Sequence, residues 1–277
     1  MYPHGTISPY DLGMSPGRTR TRLTPFGKVV LVLLSASAAL GLVQWGLSAS
    51  DGETTEERRP GTTRPIPSVS PLATPLHDCI YGDIPTEHTG YDAWNRTLLD
   101  TEFRITRSYV PPDLESVAGA GFEGDHRVRS FVLRDLERLR KAAEAAGHPV
   151  EIVAAYRSFR EQAELFESRK EQFGYDRSLD KTAREGHSEH QLGTAVDFKS
   201  LGAADVTQSW GDEPTGRWMA RNSYRFGFVL SYPKGERAKT CYPYEPWHFR
   251  YVGRELAREV QRSGLTLREY LWELNHS

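Results

Sequence analysis

The densest group of chemically capable side chains lies in HSEHQLGTAVDF, residues 187–198. His190 precedes Asp197 by seven residues, with Gly193 between them, so a loop histidine and a strand aspartate can converge on one point. Far downstream, EPWH supplies Glu245 and His248. Two histidines and one carboxylate are a common catalytic zinc set, with a fourth position left for a water whose pKa the metal lowers toward neutrality. A further carboxylate, off the metal, is then needed to take the proton from that water. Glu245, three residues before His248 and kept out of regular structure by Pro246, is available for this. An arginine that holds a carboxylate or a developing oxyanion completes the set, and Arg157 is the candidate. Taken singly, each piece has a plainer reading: a His and an Asp seven apart arise by chance in most proteins, and EPWH suits a packed Trp with a capping His. His187 reads as a solvated neighbour, and His77, His88, His126, His148 and His276 as surface or structural residues.

The elements that must position these groups follow from local patterns. From His126 to Gly147, apolar residues recur at Val128, Val132, Leu136, Leu139, Ala143 and Ala146, which is helical spacing that Gly147 and Pro149 end. PVEIVAAY, 149–156, is a short β-branched run and reads as a buried strand. Ser158 with Glu161 forms a capping box, so Phe159 to Phe173 should be a helix ending at Gly174. Arg157 then sits at a strand-to-helix junction, where side chains often project into a cleft. GTAVDF, 193–198, reads as a strand with Thr194, Val196 and Phe198 on one face and Ala195 and Asp197 on the other. Residues 216–224 read as a short helix, GFVLSY, 227–232, as a strand, and WHFRYV, 247–252, as a third strand with His248 and Arg250 on one face. GRELAREVQRSG is a closing helix capped by Gly264, and a Thr266–Glu269 capping box starts a last short helix. Strands and helices mix without regular alternation, which predicts an α+β fold with an antiparallel sheet.

The chain of 277 residues has a formal net charge of −2, which argues against a general nucleic-acid binder. Its two cysteines exclude a Cys-rich zinc site or an iron–sulfur cluster. Residues 1–24 carry Arg18, Arg20 and Arg22 with nothing periodic and read as a disordered tail. Within 25–50, the stretch from Val29 to Ser50 has no charge, close to the ~20 residues that cross a bilayer. Basic residues precede it and Asp51, Glu53, Glu56 and Glu57 follow, so the tail is expected in the cytoplasm and the remainder outside. An uncleaved, single-pass membrane anchor is one reading; a cleaved signal peptide, with SASAA or LSAS as its processing site, is the other. Residues 51–78, rich in Pro, Thr and charge, read as a linker, and 79–277 as one folded extracytoplasmic domain.

YRSFREQ, SEHQLGTAVDF, YRFGFVLSYPKG and YEPWHFRYVG occur in that order and closely resemble the zinc D-alanyl-D-alanine carboxypeptidases of the VanY type. That family shares a fold with the D-Ala-D-Ala dipeptidases, some phage endolysin peptidases and the hedgehog signalling domain. The resemblance spans roughly residues 120–262, and its motif Ser-x-His-x-x-Gly-x-Ala-x-Asp is met at Ser188, His190, Gly193, Ala195 and Asp197. It implies a central antiparallel sheet flanked by helices, with His190, Asp197 and His248 as ligands to Zn2+, Glu245 as general base and Arg157 stabilising the tetrahedral intermediate. It further implies that Ser188 helps to hold the substrate's terminal carboxylate, and that the substrate is a peptidoglycan stem peptide, or its precursor, ending in D-Ala-D-Ala. Relatives often carry glycine where Cys241 stands.

Other peptidases of the same fold remain open as readings: an endopeptidase of the stem peptide or a D-Ala-D-Ala dipeptidase. A non-catalytic wall-binding module is the alternative from a different class. The expected export makes a Cys79–Cys241 disulfide the usual fate of a lone cysteine pair, with two unrelated buried thiols as the alternative. Such a bond would tie the start of the domain to the loop that delivers EPWH.

Overall fold

The computed structural model describes residues 75–277. Residues 1–24, expected as a tail, residues 25–50, expected as an anchor, and most of the expected linker lie outside the described residues; among those described, no helix is long and apolar enough to cross a membrane.

The first elements among the described residues are four short strands, β1 (Ile84–Pro85), β2 (Phe103–Arg104), β3 (Leu114–Ser116) and β4 (Arg127–Arg129). Helix α1 (Leu133–Ala145) leads into β5 (Val150–Ala154), then α2 (Phe159–Phe173) and α3 (Tyr175–Leu179). After β6 (Ala195–Ser200) come α4 (Pro214–Asn222), β7 (Phe228–Leu230), α5 (Arg237–Thr240) and β8 (His248–Tyr251). Helices α6 (Arg254–Ser263) and α7 (Leu267–His276) close the domain. The central sheet has four antiparallel strands in the order β5-β6-β8-β7. This is the α+β architecture with an antiparallel central sheet and flanking helices.

Both capping boxes form. The Ser158 side chain accepts from Glu161 N while Glu161 returns a bond to Ser158 N, which fixes the start of α2 directly after Arg157. The Thr266–Glu269 pair does the same for α7. One expectation fails at its front end: residues 127–129 form β4, paired with β3, and only Leu133 onward is helical. Val128 and Val132 are both fully buried, so the spacing marked burial correctly, but the backbone there is claimed by a strand partner remote in sequence.

The register of β6 on β8 sets the two faces of the sheet. Val196 lies opposite Phe249, Ala195 opposite Arg250 and Asp197 opposite His248. Val196, Phe198, Phe228, Phe249 and Tyr251 pack with Leu136, Leu139 and Ala143 of α1 and Met219 of α4 into the main core. The other face carries Asp197, His248 and Arg250, and it is also buried. A second apolar cluster joins α6 and α7 through Leu256, Val260, Leu267, Leu271 and Trp272. Leu76 packs on that cluster, and the His77 carbonyl accepts from Arg268, so ordered contacts begin slightly ahead of Cys79. Cys79 and Cys241 are joined by a disulfide. Cys241 has φ of 67°, the left-handed conformation that suits glycine, and it is the C-cap of α5.

Candidate active site

Three elements deliver three donor atoms to one point. His190 comes from the 3-10 turn Glu189–Leu192, Asp197 from the middle of β6 and His248 from the first position of β8. One ligand atom from each lies within 4.8 Å of the others, and all three residues are buried. Gly193 makes the turn between the first two possible. Its φ is 72°, and a Cβ there would stand 2.9 Å from a Leu114 methyl and 3.0 Å from Arg129 Cγ.

Each imidazole is oriented by what its other nitrogen does. His190 Nδ1 donates to the Ala155 carbonyl at 2.6 Å, which leaves Nε2 as a lone pair 3.2 Å from Asp197 Oδ2. Ala155 lies just past the end of β5, outside its ladder with β6, so its carbonyl is available. His248 Nε2 donates to Glu189 Oε2 at 2.9 Å, which turns Nδ1 toward Asp197 Oδ1, 3.0 Å away. Asp197 Oδ1 is buried and makes no hydrogen bond. Two imidazole lone pairs and a carboxylate oxygen without a hydrogen-bond donor, all converging, fit a divalent cation, and the outer nitrogens are fixed as histidine ligands of zinc usually are. The electrostatics agree. Burial disfavours charge on Asp197, but the two histidines outweigh it and hold its carboxyl far below the usual range. Burial likewise opposes charging His248, yet Asp197 and Glu189 overcome it and raise its pKa to about 10, so the pocket between the carboxylates favours positive charge.

Glu189 is not marked as a functional residue by the sequence alone. It is buried, it accepts from Ser231 Oγ at 2.6 Å, and its Oε1 accepts from Arg250 Nη1 at 2.9 Å. Burial pushes its pKa up, but Arg250 and the His248 bond prevail and bring it to about 2. Arg250, 0% exposed, also donates to the carbonyls of Trp94 and Thr97. The signal for this network was present in part: His248 and Arg250 share a strand face, and a buried arginine calls for an anion. His187 requires a correction. It is not solvated but 1% exposed, with Nδ1 donating to the Asp100 carbonyl at 2.7 Å and Nε2 3.2 Å from Asp83 Oδ1. Its partners come from the N-terminal segment, far away in sequence, and it stays outside the donor cluster.

The cluster opens on a cleft of about 150 Å³ lined by Arg157, Ser188, Tyr232, Tyr242, Glu245 and Trp247 among others. Glu245 Oε2 is 3.9 Å from His248 Nδ1, and its side chain is 21% exposed toward the cleft. Its backbone is held by bonds to Tyr232 O and from His248 N. Burial, with Asp197 adding to it and His248 opposing, lifts the Glu245 carboxyl to about 7. Arg157 donates from Nη1 to Gln162 Oε1 at 2.9 Å; burial lowers its pKa, against the pull of Asp197 and Glu245 nearby. Ser188 caps the turn that carries His190, its hydroxyl accepting from His190 N at 3.4 Å, and it also lines the cleft. All six residues proposed from the sequence for metal, base and substrate therefore meet at one place.

Fold and cluster together define a class: an α+β domain with a potential metal centre on the polar face of its sheet and a carboxylate and a guanidinium beside it, as in metal-assisted hydrolases. A family model described as VanY, D-alanyl-D-alanine carboxypeptidase, matches residues 125–254. The D-alanyl-D-alanine carboxypeptidase of Enterococcus faecalis is 36% identical over 188 residues, 64% of this chain and 66% of that protein. This chain spans about two thirds of the length of the curated relatives it matches. Among solved structures, a variant of the vancomycin-resistance D,D-pentapeptidase VanY in complex with Zn(II) is 31% identical, with a TM-score of 0.55 over 64% of this chain and 99% of that one. The LdcB LD-carboxypeptidase is 28% identical, with a TM-score of 0.59 over 70% and 98%. The chain belongs to the VanY family of D-alanyl-D-alanine carboxypeptidases.

Proposed function

We propose that this chain is a zinc-dependent carboxypeptidase that removes the C-terminal D-alanine from peptidoglycan stem peptides ending in D-Ala-D-Ala. The observation that carries this reading is the convergence of His190 Nε2, Asp197 and His248 Nδ1 on one point, with Glu245 and Arg157 on the same cleft. The family's name and the Zn(II) complex of its VanY relative support the substrate and the metal.

His190, Asp197 and His248 would hold the zinc, which when bound lowers the pKa of a water and polarises a carbonyl. Glu245 takes the water's proton as the penultimate D-Ala carbonyl is attacked, and its raised pKa suits a base that must then give the proton up near neutrality. The same carboxyl passes the proton to the departing D-alanine amine. Arg157, held in place through Gln162, meets the oxyanion on the attacked carbonyl. Ser188 and Arg157 hold the terminal carboxylate, which makes the reaction exopeptidic. Glu189 acts through His248, fixing its ring so that Nδ1 faces the cluster.

We further infer that the apolar segment within 25–50 anchors the chain in the cell membrane, with the catalytic domain outside, where peptidoglycan lies.

The test is incubation of the full-length protein with a pentapeptide stem ending in D-Ala-D-Ala and identification of the products by mass. Release of one D-alanine is expected. Release of the D-Ala-D-Ala dipeptide, or of D-alanine only from a tetrapeptide that ends in a single D-Ala, would contradict the assignment. The second outcome would place the chain with activities such as the one LdcB is named for.

A further inference from the structure

The wall of the cleft farthest in sequence from the EPWH segment is built by α2 and by the stretch that follows α3. Gln162 of α2 is 1% exposed and joins the two: its Nε2 donates to Thr182 Oγ1 at 3.1 Å and to the Ala183 carbonyl at 2.6 Å, while its Oε1 holds Arg157. This wall presents Arg169 and Lys181 to the same cleft that Arg157, Ser188 and Glu245 line.

Neither cation has a carboxylate partner among the described residues. Arg169 donates to the amide oxygen of Gln172, at 3.3 Å, and the Lys181 ammonium lies 6.0 Å from the centroid of the Phe173 ring. The remaining cations of α2 behave differently. Arg160 pairs with Glu164 at 2.8 Å and Lys170 pairs with Glu167 at 2.5 Å, both within the helix. Asp180, next to Lys181, is taken by Arg237. The acidic groups of the cleft, Asp197 and Glu245, belong to the reacting centre and already face Arg157. Two cations without counter-ions thus flank a cleft whose substrate is a peptide that threads in from one end.

Resting on the carboxypeptidase reading, we propose that Arg169 and Lys181 form a subsite for a free carboxylate on the substrate, upstream of its D-Ala-D-Ala pair. Arg157 and Ser188 serve the terminal carboxylate at the buried end; the second anion sits farther out, where Lys181 is exposed and Arg169 half-buried. The chemistry selects peptides whose earlier residues keep a carboxylate over those in which it is amidated. Because the subsite lies at the rim, its contribution is screened by salt.

Two pentapeptides ending in D-Ala-D-Ala and differing only upstream, free carboxylates in one and carboxamides in the other, test this with the full-length protein. The native protein should show about a tenfold higher kcat/KM for the free acid, expressed in KM, as expected for hydrogen bonds to a charged group, and the preference should shrink as salt rises. In the Arg169→Gln, Lys181→Gln double variant, that ratio should fall to about one. Arg160→Gln, on the paired side of α2, should keep the preference. Equal use of both peptides by the native protein would overturn the subsite. So would a double variant that loses activity equally on both, since that loss would belong to the terminal carboxylate or to folding. Cleavage of neither peptide would instead fell the carboxypeptidase reading, and this inference with it.

Discussion

The two faces of β6 and β8 are made by alternate residues of the same strands, yet they are organised on opposite principles. Val196, Phe198, Phe249 and Tyr251 bury apolar surface against α1 and α4. One residue out of phase, Asp197, His248 and Arg250 are also buried, and their charged and polar atoms are oriented by other polar groups. The apolar face is stabilised by packing that tolerates modest change of shape. On the polar face Glu189 joins Ser231, His248 and Arg250, whose buried Nε makes no hydrogen bond, while His190 is held separately by the Ala155 carbonyl. Within it Asp197 Oδ1, turned toward the cluster, lacks a hydrogen bond. A charged face this deep contributes little net stability for its burial, so its value lies in holding donor atoms rigidly.

Substitutions on the two faces should therefore separate folding from chemistry. The largest effect is expected at Glu245, which touches the cluster without belonging to the network. Glu245→Gln should cost roughly 100- to 10,000-fold in kcat while leaving the thermal midpoint and zinc content near native; a near-native rate would give the proton transfer to another group. On the apolar face, Phe249→Ala should destabilise the fold by about 3–5 kcal/mol in denaturant titration. Its folded fraction should still bind metal with native affinity, and loss of affinity there would mean the faces are coupled. Glu189→Gln sharpens the contrast from the other side. It leaves Arg250 without its anion and frees the His248 ring, so stability should fall by about 3 kcal/mol and zinc affinity by roughly 10- to 100-fold. Unchanged affinity in a competition titration would reduce Glu189 to a structural role.

The smallest predicted effect concerns Cys241. Its left-handed backbone is a glycine's conformation, and an L-residue there is disfavoured by about 1–2 kcal/mol. Once the disulfide is removed by Cys79→Ser, glycine at 241 should be more stable than serine at 241 by about 1 kcal/mol. Equal stability in thermal unfolding would mean that the loop relaxes when the bond is absent.

What the sequence made legible was whatever is encoded locally. The Ser158 and Thr266 capping boxes, the alternation of β6 and β8, and the glycine stop of α2 each need only a few neighbouring residues. The metal donors are legible because His190 and Asp197 stand seven residues apart around Gly193, EPWH supplies His248, and the motif around them is a family's. What was not legible depends on partners remote in chain position. Residues 127–129 became a strand because β3 is there to pair with them. His187 is buried because Asp83 and Asp100 enclose it. Glu189, adjacent to His190 in a polar turn, looks solvent-exposed until β8 brings Arg250 and His248 to it.

On the proposed reading, the polar face of β6 and β8 holds one catalytic metal through His190, Asp197 and His248. Elemental analysis of the purified full-length protein tests it most directly, with the Asp197→Ala, His248→Ala double variant prepared alongside. About one equivalent of zinc in the native protein and none in the double variant is the predicted result. A double variant that is folded by circular dichroism and retains full zinc content would contradict the assignment.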